Sequence, residues 1–394
     1  MKYNISNTAQ NAKASEVREI LKLTQTPEII SFAGGLPAPD LFPVADIKRV
    51  MGEVLDQDGF VALQYTTTEG NDDLRNAIIN QRLKPFGMDA TLENLMITSG
   101  SQQGLELTAK MFINHGDTVI VENPTYLTAI SPFKSYGAEL ATVDTDDDGI
   151  IISDLIHTIE TNENVKFIYL IPDFQNPTGR CMSLERRKQV VEIAEKYKIP
   201  VIEDSPYGEL VLSGEKLPTI KSFDKHGYVI YLGSFSKVFC PGFRIGWILA
   251  DSALIEKYAI LKQGVDLQTS TVDQMIVARY MMAYNLDDHI EKIKALYKSR
   301  RECMLNAIEQ YFPKNVEYTK PRGGLFIWVI LPEGHDSKEI LKKAIEQKVA
   351  FVPGQSFYAH GNVTNTFRLN YSNMPEERIK EGIQRLGAIL DAVL

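Results

Sequence analysis

Positive charge is in short supply in this chain: 42 Lys and Arg stand against 51 Asp and Glu, giving a formal net charge of −9 and a pI near 5.4. A nucleic-acid surface wants a basic face, so the balance argues against that class of partner, although small anions can still be held locally. Cysteine is scarcer still. Cys181, Cys240 and Cys303 are odd in number, far apart and without a C-x-x-C pair, so neither a disulfide framework nor a zinc site is suggested, and a reducing compartment is expected. No run approaches the roughly 18 apolar residues of a membrane span. The opening Met1–Ser6 has no apolar signal core, and there is no internal repeat or low-complexity tract. The expectation is a cytoplasmic protein.

What is present is ordinary globular material: 394 residues, 44% hydrophobic and 24% charged, enough for a large core and about two to three domains. From residue 94 short β-rich runs alternate with helical stretches such as Leu184–Tyr197. The runs are Leu95–Thr98, Thr118–Val121, Val165–Ile171, Pro200–Glu203, Tyr228–Leu232 and Ile245–Ala250. Near-continuous apolar strands in β-α alternation predict an α/β fold with a largely parallel sheet covered on both faces. After about residue 286 the pattern changes to a long charged helix over Ile290–Ile308, strands near Gly324–Ile330 and Thr366–Tyr371, and two further helices, which predicts a second, α+β domain. At the front, Ala14–Leu23 places Val17, Ile20 and Leu21 at helical spacing. Arg18 beside that stripe has no acidic neighbour at helix contact distance, and spacing alone reads it as a simple exposed arginine. The Gly- and Pro-rich stretch Ser31–Pro43 predicts an ordered loop, since Phe32, Leu36, Leu41 and Phe42 are interleaved through it.

In a parallel sheet of this kind ligands sit beyond the carboxyl ends of the strands, so the residues there carry the chemistry. After Tyr228–Leu232 comes Gly233-Ser234-Phe235-Ser236-Lys237, with Arg244 seven residues on. One short loop thus offers an amine nucleophile and groups suited to a phosphate, the parts needed for a phosphorylated aldehyde. Taken alone, an S-x-S-K string is usually a solvated loop. After Leu95–Thr98 comes Ser99-Gly100-Ser101-Gln102-Gln103, leading into a helix whose first amides and dipole can hold an anion, or whose serine is only an N-cap. Tyr126 follows the second run, as pocket rim or as plain packing. Asn176 follows the third, and Pro177 biases it toward extended backbone. Beyond Val201-Ile202 come Glu203, Asp204 and Tyr207; a carboxylate at a buried strand end is costly unless it meets a cation or donor, such as a protonated pyridine nitrogen. Near the end, alternation in Thr366–Tyr371 sends Arg368 and Asn370 to the face opposite Phe367, Leu369 and Tyr371, either an exposed strand face or one that meets a pocket.

Asn176-Pro177-Thr178-Gly179, Asp204 with Tyr207, and Ser234-x-Ser236-Lys237 with Arg244, in this order and each after a predicted strand, resemble the fold-type I pyridoxal-phosphate aminotransferases of class I, over nearly the whole chain. The resemblance implies residues 1–50 as an N-terminal lid helix and loop belonging to the small domain, 51–285 as the large cofactor domain with a mostly parallel sheet between helices, and 286–394 as the smaller α+β domain. It implies Lys237 as the residue that binds the aldehyde of pyridoxal 5'-phosphate and shuttles the proton, and Asp204 as the partner of the pyridinium nitrogen. Asn176 and Tyr207 are then donors to the phenolic oxygen, and Tyr126 stacks on the ring. Ser101, Gln102, Ser234, Ser236 and Arg244 bind the phosphate. It further implies a homodimer with shared sites, Tyr65 reaching the neighbouring subunit's phosphate.

For the substrate, the resemblance makes Arg368 the clamp for the α-carboxylate, with Asn176 and Gly35 beside it. Arg18-Glu19-Ile20-Leu21-Lys22-Leu23-Thr24-Gln25 and Phe32–Pro39 look most like the 2-aminoadipate and kynurenine aminotransferase branch, whose N-terminal helix is a mobile lid. Arg18 there implies a contact to a distal carboxylate. The activity implied is ping-pong transfer of an amino group from 2-aminoadipate, an aromatic amino acid or similar, to a 2-oxo acid such as 2-oxoglutarate. A carbon–sulfur or other β-lyase on the same scaffold is the alternative. A cofactor-sensing regulatory domain ranks last, because the fold is expected to begin within the first twenty or so residues of an acidic chain.

Overall fold

The computed structural model describes residues 3–11, 20, 26 and 28–394. Strand β1 (Ile30–Ser31) precedes a helix, Val44–Ala62. The central layer is a sheet of β2 (Leu95–Thr98), β3 (Thr118–Asn123), β4 (Glu139–Asp146), β5 (Gly149–Ile150), β6 (Val165–Leu170), β7 (Val201–Asp204), β8 (Val229–Ser234) and β9 (Gly246–Leu249), in the order β2-β9-β8-β7-β6-β3-β4-β5. Strands β8, β7, β6, β3 and β4 run parallel. Strand β9 is antiparallel to both β2 and β8, and β5 to β4.

Alternate residues of these strands feed two separate apolar cores. Ile168 and Leu170 pack with Val201 and Val229 on one face, and Phe167 and Tyr169 with Ile202 and Ile230 on the other. That is why the strands read as continuous apolar runs rather than as alternating ones. The expected runs all form strands. Strands β4 and β5 and the helix Val44–Ala62 were not among the expectations. The mixed sequence of β4 is only partly buried and lies toward one side of the sheet. The helix, by contrast, carries a helical signal in Ile47, Val50, Met51 and Val54 that the sequence reading passed over.

A second sheet comes from the C-terminal part: β10 (Glu317–Tyr318), β11 (Phe326–Ile330), β12 (Val349–Ala350), β13 (Val352–Pro353) and β14 (Thr366–Asn370). Of these, β10-β11-β14-β13 form an antiparallel sheet in that order. Helices Leu286–Tyr311, Ser337–Glu346 and Glu376–Val393 accompany it. Strand β12 pairs in parallel with β1, and the carbonyl of Phe32 accepts from Asn370 N at 2.9 Å. The chain just after β1 is therefore tied to the C-terminal sheet, which brings Ala33 and Gly35 against the strand ends of the large sheet. Among the described residues, no helix is long and apolar enough to cross a membrane.

Candidate active site

A cavity of about 320 Å³ opens beyond the carboxyl ends of β6, β7 and β8. Lys237, Asp204, Asn176, Tyr207, Arg244 and Arg368 all line it, as do Gly35, Ser101, Gln102, Tyr126, Ser234 and Ser236. Residues up to 333 positions apart thus share one small space, which is what a sheet with loops at one end accomplishes.

At the floor, Asp204 is 2% exposed. Its Oδ2 accepts from the Tyr169 hydroxyl at 2.8 Å, while Oδ1 is buried with no partner. Burial pushes this carboxyl up to about 7, with the Tyr169 hydrogen bond working in the opposite direction. An unpaired oxygen of this kind is an open request for a donor.

Above it, the Lys237 amine donates to the carbonyl of Gly35 at 2.7 Å. Burial lowers its pKa to about 8, helped by the positive charges of Arg368 and Arg244. The amine is therefore far easier to deprotonate than an ordinary lysine, the state a nucleophile requires.

The third part is an anion cup. Helix Ser101–Phe112 begins on this cavity with Gly100 as its N-cap, so Ser101 is the first helical residue and no side chain caps the free amides. Gly100 has φ +77°, and a Cβ there would lie 2.5 Å from Arg244 Nη2. Arg244, itself left-handed at φ +54°, donates from Nη1 to Ser236 Oγ and to the Pro241 carbonyl, each at 3.3 Å. Ser236 N donates to Ser234 Oγ at 3.1 Å, and Gln102 Nε2 to the Thr128 carbonyl at 3.2 Å.

Opposite stands Arg368. Nη1 donates to Asn176 Oδ1 at 2.6 Å, Nη2 to the Ala33 carbonyl at 2.7 Å, and Nε is buried without a partner. The guanidinium lies 4.1 Å from the Phe326 ring centre and 5.0 Å from that of Phe357. Strand β14 is buried on both faces, so the reading of Arg368 as a residue on an exposed strand face is ruled out. Burial lowers its pKa to about 10, which leaves it charged at neutral pH. Asn176, in a cis peptide with Pro177, gives its oxygen to Arg368 and so presents its amide donors elsewhere. Tyr207 packs edge-on to Phe326 at 5.8 Å, and burial raises the phenols of both Tyr207 and Tyr126.

Tyr65, expected to reach a neighbouring subunit's site, does not line this cavity and is 78% exposed; Arg18 lies outside the described residues. Three residues were not foreseen. Tyr169 sits inside the apolar β6 run, and Phe326 looks like any strand aromatic. Glu122 accepts from Ile171 N at 2.9 Å and is pushed up to about 8 by burial, steadying the segment that carries Asn176. The acid directly after the apolar β3 run was the signal available for Glu122.

Residues 37–386 match the family model for aminotransferase class I and II. The chain belongs to this family. It is a pyridoxal-phosphate-dependent aminotransferase of fold type I, with relatives at substantial identity over nearly the full length. An aromatic-amino-acid aminotransferase 1 of Thermococcus litoralis is 48% identical over 97% of this chain and 92% of its own. A kynurenine aminotransferase of Pyrococcus horikoshii, solved in complex with PMP, superimposes with a TM-score of 0.95 at 44% identity, covering 99% of this chain and 97% of that one. An α-aminoadipate aminotransferase of Thermus thermophilus, complexed with N-(5'-phosphopyridoxyl)-L-leucine, gives a TM-score of 0.92 at 36% identity, covering 98% and 97%.

Proposed function

We propose that this aminotransferase moves the amino group of an aromatic L-amino acid, 2-aminoadipate or a similar substrate to a 2-oxo acid such as 2-oxoglutarate, in a ping-pong cycle. The observation that carries the reading is the pairing of an unpartnered Asp204 Oδ1 with a deprotonatable Lys237 amine in one cavity that also holds an anion cup. These groups fit pyridoxal phosphate at three points: the carboxylate as acceptor for a protonated ring nitrogen, the amine for the aldehyde, and Ser101, Gln102, Ser234, Ser236 and Arg244 for the phosphate. Bound there, the cofactor supplies an electron sink for the charge left when a substrate Cα–H is broken.

The chain's own groups do the rest. Arg368 clamps the substrate carboxylate through guanidinium N–H groups that Asn176 and the Ala33 carbonyl leave free, Nε among them. Asn176 and Tyr207 would serve as donors to the cofactor's phenolic oxygen, and Tyr126 would bound its ring. With the cofactor held there, Lys237 Nζ would be the base placed to take the substrate Cα proton and to deliver it on the cofactor side of the transferred nitrogen. Gly35 keeps the entrance open, since a Cβ there would lie 3.1 Å from Phe326 Cζ and 4.0 Å from Lys237 Nζ. Leu36, Leu127 and Pro241 line the remainder, which favours an apolar or aromatic side chain. Arg18 is assigned to a distal carboxylate; Arg18→Ala is expected to shift preference from 2-aminoadipate toward phenylalanine, and an unchanged ratio rejects the assignment.

The same reading includes the division at residues 50 and 285, a cytoplasmic setting in keeping with three free cysteines, and a homodimer. Phe60, Leu63, Tyr65, Val265 and Leu267 are exposed large apolar residues, and hydrogen bonds between 64–66 and 268–271 place two of their segments side by side. Such a patch suits a subunit interface, with Tyr65 extending to the partner's phosphate.

The test is the absorbance of the purified protein before and after single amino acids are added without an oxo acid, together with an ammonia assay. Conversion of the bound cofactor to its amine form without ammonia is expected. Ammonia release with the original spectrum restored indicates the β-lyase, and no cofactor band after adding pyridoxal phosphate rejects the role of Lys237.

A further inference from the structure

Just outside the anion cup, Lys262 is fully buried in helix Ser252–Gln263. Its amine donates to Asp266 Oδ1 at 2.6 Å and to Gln103 Oε1 at 3.0 Å. The other carboxylate oxygen, Oδ2, accepts from Gln103 Nε2 at 2.7 Å and from Ser99 Oγ at 3.0 Å. Gln103 Oε1 also takes the Ser99 N–H at 2.8 Å. Ser101 and Gln102 of the cup are held between these braced residues. Burial acts to raise Asp266, but hydrogen bonds from Lys262 and Gln103 prevail and hold the carboxyl below its ordinary value. Burying the Lys262 amine carries a desolvation cost that the partly exposed Asp266 offsets, and the pair is best explained by what it positions.

The same short segment grips a second element. The Thr66 N–H donates to Gln268 Oε1, and Gln268 Nε2 donates to Thr271 Oγ1 at 2.9 Å. Thr271 Oγ1 in turn donates to the Gln64 carbonyl at 3.1 Å. Tyr65 is therefore held through both of its neighbours while its side chain stays 78% exposed. Leu267, left-handed at φ +64°, is the corner that turns Asp266 toward the cup and Gln268 toward the Tyr65 segment. None of Lys262, Asp266 and Gln268 lines the cavity.

We infer that Asp266 is a positioning residue that locks the phosphate-binding turn and the Tyr65 segment of one subunit into a single piece, so that phosphate holding in one site and Tyr65 delivery to the partner's site are coupled. The inference rests on the cofactor and dimer reading given above, and it adds a reciprocal linkage between the two sites.

The experiment titrates apoprotein with pyridoxal phosphate and, separately, with pyridoxal, which lacks the phosphate, and measures dimer dissociation by sedimentation. For Asp266→Asn, affinity for pyridoxal phosphate is expected to fall about tenfold or more while pyridoxal binding changes less than about twofold, and the dimer loosens. A merely structural role lowers both affinities by the same factor. Ser99→Ala removes one donor to Oδ2 and leaves the Lys262–Asp266 ion pair intact, so it carries the test should Asp266→Asn not fold; a loss of about threefold confined to the phosphorylated ligand is expected. If the wild-type protein binds both ligands equally, the cup is not a phosphate site and the underlying reading falls. If the wild type discriminates and both variants keep its ratio and its dimer, the inference alone is wrong.

Discussion

Glu203 and Asp204 are consecutive acids at the end of β7, both essentially buried and both raised by burial to about 7. They point to opposite faces of the sheet, as strand geometry demands. On its face, Glu203 accepts the amides of Ile220 at 2.9 Å and Lys221 at 2.7 Å, one per oxygen, and fastens the 220–221 turn to the sheet. On the other, Asp204 has one oxygen held by Tyr169 and one left open at the cavity floor. Burial and a raised pKa therefore do not separate a structural acid from a functional one. The separation comes from an oxygen that no protein group satisfies and that faces an accessible space.

Substitutions can break or sharpen this contrast. Lys237→Ala sets the outer scale, with single-turnover transamination expected to drop by about 10⁴-fold or more. Asp204→Ala is expected to lose roughly 10²- to 10³-fold in turnover while the apoprotein stays folded, since it removes an electrostatic partner and no satisfied hydrogen-bond acceptor of the backbone. Glu203→Gln should do the reverse: a loss of about 1–3 kcal/mol in denaturant melts, because an amide cannot accept both N–H groups, with turnover within about twofold. Equal kinetic damage from the two would erase the distinction.

Acidity sharpens it further. The folded protein keeps a proton on Glu203 up to about 7, whereas the unfolded chain loses it near 4.5. Its contribution is complete below the lower value and is lost as pH rises through the higher one, so apoprotein stability should decline across that window and decline less in Glu203→Gln. For Lys237 the direction is opposite in kind: apoprotein should react with an aldehyde probe increasingly as pH rises through about 8, well before an ordinary lysine would. The smallest effect is expected for Tyr169→Phe, a change of a few-fold in cofactor affinity through the loss of one hydrogen bond to Asp204, read by titration of the apoprotein.

Much of this site was legible in the chain because strand ends announce themselves. Lys237, Asn176 and Asp204 each follow an apolar run, and the fold carries them to one place. Tyr169 was hidden for the opposite reason: in Val165–Leu170 its ring serves the core, and nothing local distinguishes a hydroxyl that reaches a carboxylate 35 residues later. Phe326 was hidden likewise, since its contact with Arg368 joins facing strands of one sheet. Strand β4 escaped because a partly exposed strand mixes charged and apolar residues, and the pairing of the buried Lys262 with Asp266 because helical i, i+4 spacing ordinarily signals a solvated ion pair. Helix Val44–Ala62 carries its own signal in the spacing of Ile47, Val50, Met51 and Val54.

Gly100 carries a lesson for anyone randomising this enzyme. It contributes no functional group, yet a methyl there would collide with the Arg244 guanidinium at 2.5 Å and require a left-handed backbone at the same time. A saturation library is expected to show strong intolerance at that position, though less severe than at Lys237, and activity restored by a second change at Arg244 should be rare, because the arginine and the empty space beside it define one another.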